Sequence, residues 1–148
     1  MKITIITIGR LKEKFLVEGT AEYLKRLKPF AKIEIREILE CRTVEEEGKK
    51  LLSQVPQSSW LCVLDVRGQA ITSEKFAEKI SELNLHGVSN LTFIIGGAFG
   101  LSDEVRNAAD FLLSLSEMTF THQMARLILL EQIYRAFKIN RGEPYHKS

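Results

Sequence analysis

The sequence of 148 residues has few of the features that mark exported, membrane-spanning or metal-binding proteins. Its only two cysteines, Cys41 and Cys62, lack CxxC spacing, so neither a disulfide framework nor a cysteine metal cluster is expected. No apolar run reaches the ~18 residues of a membrane span, and no small-residue cleavage site follows the apolar start at Lys2–Ile8. These absences predict a cytoplasmic protein that uses neither a membrane nor a metal ion.

Short catalytic motifs are also missing. The three histidines, His86, His122 and His146, stand too far apart in the sequence to form a zinc site with the cysteines. Ser114 and Ser116 lie close to His122, but no GxSxG elbow accompanies them, which disfavours a serine hydrolase. A phosphate-binding loop ending in Lys-Ser/Thr is absent as well. A site must therefore be inferred from where loops fall in the fold.

Positive charge is concentrated in two segments although the net charge is only +2. Residues 10–36 contain eight Lys or Arg against four Glu, and residues 135–147 contain four basic residues against Glu143 alone. Ordinary solvated helix faces would account for both segments. They would instead form one phosphate-binding face if the fold, or a second subunit, brings them together.

Strand and helix signals alternate along the chain, without a linker or an internal repeat. Alternating or continuous β-branched and apolar residues predict strands at Lys2–Ile8, Lys32–Leu39, Trp60–Leu64, Leu91–Ile95 and Phe111–Leu115. Helical spacing and capping residues predict helices at 13–28, from Thr43 to 54, from Thr72 or Ser73, from Ser102, and from Thr121 to 139. This order predicts a single-domain α/β sandwich with a largely parallel sheet.

Three predicted loops follow buried strands, where ligands of parallel sheets bind. They are Leu64–Gly68, Gly96–Leu101 and Leu115–Thr121. The second loop is rich in glycine, which lets a backbone approach a ligand closely, although a tight turn without a ligand would use the same residues. The convergence of the three loops predicts a small-molecule site.

The last predicted helix is apolar on nearly every side, with residues such as Leu127, Ile133 and Phe137. A helix of this kind must be buried on more than one side. One side can pack on the sheet and the other on a second copy of the chain, which predicts a homodimer. A central helix within a monomer is the alternative.

Four segments occur in the order found in one known family. They are Leu64–Gly68 (LDVRG), Ile95–Leu101 (IGGAFGL), Leu115–His122 (LSEMTFTH) and Pro144–His146 (PYH). With these segments, the chain resembles the RlmH (YbeA-type) family along its whole length. One departure is Ala98-Phe99 at the centre of the glycine turn, where many relatives have proline and an acidic residue.

The resemblance implies a SPOUT-class methyltransferase with a C-terminal trefoil knot, a homodimeric assembly, S-adenosylmethionine as methyl donor and no metal. It further implies methylation of N3 of a pseudouridine in large-subunit ribosomal RNA, on assembled ribosomes. By position, the residues expected to bind the donor are Leu64, Gly96, Gly97, Gly100, Leu115, Ser116, Glu117, Met118, Thr119 and Phe120.

Residue roles in the transfer are hypotheses. His146 and His122 are the candidate proton acceptors, and Arg126 is a candidate for stabilising negative charge on the target ring. A helix-terminal His122 that bonds only to backbone is the alternative. The residues expected to contact RNA are Arg10, Arg135, Arg141, Tyr145 and Lys147.

The glycine turn and the Tyr145-His146 tail are expected to belong to one site, which the dimer would share if the tail completes the partner's site. Two other functions compete with this interpretation. One is a ribosome-associated nucleotide-binding protein that keeps the fold without catalysis. The other is a different α/β enzyme that binds ATP or NAD.

Overall fold

Five parallel strands form one sheet in the computed structural model, which describes residues 1–147. The strands are β1 (Lys2–Ile8), β2 (Lys32–Ile38), β3 (Trp60–Ala70), β4 (Asn90–Ile95) and β5 (Phe111–Ser114). The helices are α1 (Lys14–Leu27), α2 (Val44–Ser53), α3 (Ser73–Leu85), α4 (Asp103–Ala108) and α5 (His122–Asn140). The strand order is β2-β1-β4-β3-β5, and every pairing is parallel. The predicted α/β class with a parallel sheet is confirmed.

Both faces of the sheet are covered, which explains the apolar strands. Successive side chains of a strand point to opposite faces, so Ile3 and Ile5 of β1 enter one core while Ile6 and Ile8 enter another. The first core lies under α1, α3 and α5, and the second lies under α2 and α4. A central parallel strand is buried on both faces and therefore lacks the polar residues of a half-exposed strand.

Four of the five helices begin at a hydroxyl residue that satisfies an otherwise unpaired backbone amide. The capping residues, each accepting from the amide three positions later, are Thr43, Thr72, Ser102 and Thr121. The predicted helix starts are therefore confirmed, and Thr72 rather than Ser73 caps α3.

Helix α5 packs between α1 and α3 and also contacts the sheet. Leu129, Leu130 and Ile133 are completely buried in the larger core. The neighbours within one chain account for the buried residues of α5. Most other residues of α5 are only partly buried and Met124 is exposed, so a second copy of the chain against α5 stays a prediction.

Strand β3 continues past Leu64, where the sequence predicted that it would end. Its register against β5 shifts between Leu64 and Gln69, which both pair with Leu113, so residues 65–68 bulge out of the ladder. The polar and glycine residues of this stretch have low strand propensity, which is why the sequence indicated a loop. Gly68 lies directly against the β5 backbone: an added Cβ would be 2.6 Å from the carbonyl carbon of Leu112.

The Gly68→Ala substitution should destabilise the fold, because the new methyl group would meet backbone atoms that cannot rotate away. We expect a loss of about 1–3 kcal/mol in the free energy of unfolding, measured by urea denaturation. Gly19→Ala is the matched control, since its Cβ would meet only the flexible end of Leu127 at 3.2 Å. A helix gains up to about 1 kcal/mol from this exchange, so the control should be neutral or stabilising. Equal losses in both variants would contradict the close backbone approach.

Candidate functional site

A cavity of about 1070 Å³ opens at the carboxyl ends of β3, β4 and β5. Its volume lies slightly above the roughly 300–1,000 Å³ typical of small-molecule sites. All three predicted loops contribute to the wall. The predicted donor-binding residues that line it are Leu64, Gly96, Gly97, Gly100, Leu115, Ser116, Met118, Thr119 and Phe120. Glu117 is exposed and does not line the cavity.

The glycine turn after β4 is shaped by its own backbone. The amide of Gly100 donates to the carbonyl of Gly97 at 3.1 Å, and Gly100 has a φ of 87°, which favours glycine. A Cβ on Gly96 would lie 2.8 Å from the Gly100 carbonyl oxygen. The turn geometry thus accounts for Gly96 and Gly100, and the same turn presents main-chain groups to the cavity.

Hydroxyl groups fix the loop after β5 on the opposite wall. Ser114 Oγ donates to the Ser116 carbonyl at 3.0 Å, and Ser116 Oγ accepts from the Met118 amide at 3.0 Å. The Met118 side chain is 77% exposed at the cavity mouth. Other exposed apolar residues also line this mouth, and we call the set the apolar rim: Phe15, Met118, Phe120 and Met124.

The connection between β1 and α1 supplies a wall that the sequence did not predict. Lys12 and Glu13 line the cavity, and the Lys12 amide donates to Gln123 Oε1 at 3.1 Å, which holds the connection against the start of α5. Strand order decides this placement, because β1 is the sheet neighbour of β4. The sequence indicated a strand at β1 but contained no signal for its neighbours.

An ion pair supports the cavity wall at the β3 bulge. The Arg106 guanidinium contacts the buried Asp65 carboxylate, which also accepts from the Arg67 amide at 3.0 Å. Burial by itself raises the pKa of Asp65, but these hydrogen bonds outweigh it, so the pKa lies below its ordinary value. Asp65 therefore remains ionised at neutral pH and holds the bulge to α4.

Arg126 lies outside the cavity wall and is only 3% exposed. Its guanidinium donates to Glu37 Oε2 at 2.7 Å, to Thr7 Oγ1 at 2.8 Å and to the Gly9 carbonyl at 3.1 Å. These contacts tie α5 to the ends of β1 and β2. The arrangement fits a structural anchor, and contact of Arg126 with a target ring stays a prediction.

The structure separates the two candidate histidines. His122 lines the cavity at the first residue of α5. His146 lies elsewhere: its Nε2 is 2.7 Å from Glu74 Oε1, and its Nδ1 is 3.0 Å from Arg135 Nη1. A guanidinium can only donate, so Nδ1 accepts and Nε2–H donates to Glu74. This hydrogen bond lowers the pKa of Glu74.

The tail is held on its own chain by a polar network. The Tyr145 hydroxyl donates to Glu131 Oε1 at 3.0 Å and lies 3.1 Å from the Tyr23 hydroxyl. Glu131 also accepts from Arg135 Nη2 at 2.5 Å. Burial and the Tyr23 contact raise the pKa of Tyr145 well above its ordinary value. Within one chain, the tail and the glycine turn therefore do not form a single site.

The other residues predicted to contact RNA differ in exposure. Arg10, Arg141 and Lys147 are exposed, whereas Arg135 is half-buried against Glu131 and the Tyr145 ring. Arg141 pairs with Glu143 at 2.9 Å. Three of the predicted cations are therefore accessible to phosphate, while Arg135 mainly holds the tail.

Two kinds of feature, a metal-binding cluster and a membrane-spanning helix, are absent from residues 1–147. No group of three or more His, Cys, Asp or Glu side chains in this range is arranged to hold a metal ion. No helix in the same range combines the length and apolar character needed to cross a bilayer.

Asp65→Asn should reduce stability in a pH-dependent way. A carboxylate with a lowered folded pKa stabilises the fold above its unfolded pKa of about 3.9 and loses this effect as pH falls through the folded value. We expect a loss of about 1.5–3 kcal/mol at pH 7 that shrinks below pH ~4, measured by urea denaturation. Asp103→Asn removes an exposed partner of the same Arg106 and should change stability by less than about 0.5 kcal/mol. A pH-independent loss in Asp65→Asn would contradict the ionised pair.

Comparison with known proteins identifies relatives across the full chain. The family described as "Predicted SPOUT methyltransferase" matches residues 1–146. A protein from Carboxydothermus hydrogenoformans is 52% identical, with 99% of this chain and 100% of the relative aligned. Proteins from Halothermothrix orenii and Clostridioides difficile are 51% and 48% identical over the same shares. All three are named "Ribosomal RNA large subunit methyltransferase H".

Each of these alignments spans 159 positions, which exceeds the 148 residues of the chain by 11. At least 11 positions of each alignment therefore have no counterpart here. Identity near one half nevertheless applies to alignments that cover nearly the whole chain. The chain belongs to the RlmH family of SPOUT methyltransferases, whose members are named for methylation of large-subunit ribosomal RNA.

Proposed function

We propose that residues 1–148 form a single SPOUT-type domain that methylates N3 of a pseudouridine in large-subunit ribosomal RNA, with S-adenosylmethionine as donor. The main support is the cavity, because loops from three adjacent strand ends and the β1–α1 connection enclose one ligand-sized space. The names of the full-length relatives give the substrate class. The proposed place of action is the assembled ribosome, in the cytoplasm.

The wall has the chemistry that this donor requires. Main-chain groups of the glycine turn and of residues 115–120 can bond an adenine edge, while Leu64, Leu113 and Leu115 can enclose the ring. Lys12 and Glu13 provide opposite charges for the carboxylate and ammonium of an amino acid. When bound, S-adenosylmethionine supplies a methyl group on a cationic sulfonium. The residues of the chain must hold that group in line with the target nitrogen, at about 3–3.5 Å.

A trefoil knot is the proposed topology of the C-terminal half. Residues 65–68 leave the β3 ladder and cross against the β5 backbone, where only a glycine fits at position 68. Such a crossing would stack the loops after β3, β4 and β5 on one another. The knot would thereby provide the cavity with walls whose positions do not depend on flexible loop ends.

Loss of the N3 proton is the step that a nearby basic side chain would assist. His122 lines the cavity and can accept a proton there. His146 has both ring nitrogens engaged by Arg135 and Glu74 in its own protomer. For His146 to act as the base, the tail must leave these partners or reach the cavity of a second subunit.

We propose a homodimer in which the apolar rim is the interface. Phe15 is 60% exposed and Met118 is 77% exposed, and both stand at the same cavity mouth. Exposed apolar patches rimmed by polar residues mark interaction sites. A second copy placed there would cover one side of the mouth, and its tail could then enter this cavity beside the target nucleotide. The active site would belong to the dimer.

Met118→Glu should convert the protein from dimer to monomer, because a charge would be buried in the interface. Sedimentation should show a fall from twice 16.9 kDa to 16.9 kDa. Leu85→Glu is the control, since Leu85 is also exposed but lies at the far end of α3. A Met118→Glu variant that remains dimeric would place the interface elsewhere.

The function is tested by incubating the protein with methyl-labelled S-adenosylmethionine and ribosomes, isolated subunits or protein-free RNA. Label at N3 of one pseudouridine in the large-subunit RNA is the expected result. Donor binding without transfer to any RNA would favour the non-catalytic ribosome-associated protein. Binding of ATP or NAD in place of the donor would favour another nucleotide-binding enzyme.

His146→Ala should abolish methylation of ribosomes at saturating donor, because the variant lacks a proposed proton acceptor. The dissociation constant of the donor should stay within about twofold of wild type, because His146 is absent from the cavity wall. His86→Ala is the control, since His86 caps the distant end of α3 and should leave turnover unchanged. Unchanged methylation in His146→Ala would remove this residue from the mechanism.

A further inference from the structure

Cations from both ends of the sequence meet around two aromatic rings at the end of α5 that lies away from the cavity. The rings of Phe30 and Tyr134 stand 6.1 Å apart. The Arg141 guanidinium lies 5.0 Å from the Phe30 centroid, and that of Arg26 lies 5.8 Å from the Tyr134 centroid. Lys138 Nζ is 5.6 Å from both centroids. The fold thus brings together the two basic segments that the sequence places far apart.

Carboxylates only partly neutralise this cluster. Glu22 pairs with Arg26 at 2.7 Å, while Glu143 is shared between Lys138 at 2.6 Å and Arg141 at 2.9 Å. Two further exposed lysines sit at the end of α1 and have no ion pair within residues 1–147. We call the whole set the basic–aromatic surface: Arg26, Lys138 and Arg141 around Phe30 and Tyr134, with Lys25 and Lys28 beside Arg26 at the end of α1.

The remaining charge is large for this protein. Five cations against two carboxylates leave +3 on the surface, so the rest of a chain with net charge +2 sums to −1. Cations near helix C-termini are stabilised by the helix dipole, which accounts for a cation at each helix end. Ring faces and two carboxylates attract the three cations at the ring pair, but three positive charges there still outnumber the two negative ones and repel one another. A bound polyanion would relieve that repulsion.

We propose that the basic–aromatic surface binds the sugar–phosphate backbone of RNA at a second position, distant from the nucleotide held in the cavity. This inference rests on the proposed function for the identity of the polyanion. The arginine side chains remain 40% and 56% exposed, so their donors are accessible. A guanidinium held over a ring keeps its planar donor fork ordered, and that fork matches the oxygen atoms of a phosphate.

Helix α5 sets the distance between the two contacts. It begins at the cavity with His122 and ends after 19 residues at Asn140, next to Arg141. At 1.5 Å per residue, the helix spans about 28 Å. The RNA must therefore extend this far from the target nucleotide to reach both places, which a folded ribosomal RNA can do.

The test is the double variant Arg26→Gln, Arg141→Gln, measured for binding to large ribosomal subunits and to protein-free large-subunit RNA over a range of salt concentrations. Loss of two phosphate contacts should weaken binding about tenfold and lower the salt slope by about 2. The dissociation constant of S-adenosylmethionine should stay at the wild-type value. The variant Arg26→Lys, Arg141→Lys keeps the charge and should recover most of the salt slope.

Lys49→Gln, Lys50→Gln is the matched control, because it removes two exposed charges from α2 on the other face of the sheet. Equal weakening in the control would show a net-charge effect and overturn the proposal. Wild-type binding by the Arg26→Gln, Arg141→Gln variant would overturn it as well. So would a loss confined to intact subunits, since the partner would then be a ribosomal protein.

The outcomes also separate this inference from the proposed function. If the wild-type protein methylates no RNA but the Arg26→Gln, Arg141→Gln variant still loses RNA binding, the proposed RNA-binding surface is supported and the proposed methyltransferase function is rejected. If the wild type methylates ribosomes and the double variant keeps the same salt slope, the proposed methyltransferase function is supported and the proposed RNA-binding surface is rejected.

Discussion

The close approach of the β3 and β5 backbones at Gly68 is the contact on which the candidate site depends. Because no side chain separates the two strands there, the β3 bulge crosses directly over Leu112 and Leu113. That crossing brings the loops after β3 and β5 to the glycine turn after β4. Three residue pairs, from Cys62–Phe111 to Leu64–Leu113, hold β5 at the sheet edge beside this contact. The Asp65–Arg106 pair then fixes the bulge from the other side.

The cavity and the tail have different kinds of support. Cavity walls consist of strand ends and of loops held by both main-chain and side-chain hydrogen bonds, such as those of Gly100, Ser116 and Gln123. The tail is held by side chains alone, through Glu131, Arg135 and Glu74. Side-chain contacts on a protein surface exchange more readily than a strand can leave a sheet. This difference is consistent with a tail that can serve a second subunit.

The sequence predicted the elements well because each strand of a covered parallel sheet is a compact apolar run. The prediction of β1 at Lys2–Ile8 coincides with the observed strand. The predicted end of β3 was wrong, because residues 65–70 extend the strand through the bulge. The role of Lys12 and Glu13 in the wall depends on strand order. Periodicity within one strand contains no information about that order.

Helix α5 fixes the distance between the cavity and the basic–aromatic surface. One rigid rod joins the cavity, at its first residue, to the cations near its last residue. Inserting one residue in its middle would shift one end by about 1.5 Å and rotate it by about 100° relative to the other. Such a change would misalign the target nucleotide with the distant backbone contact even if both surfaces stayed intact. Length changes among relatives should therefore be tolerated in loops and rejected within this helix.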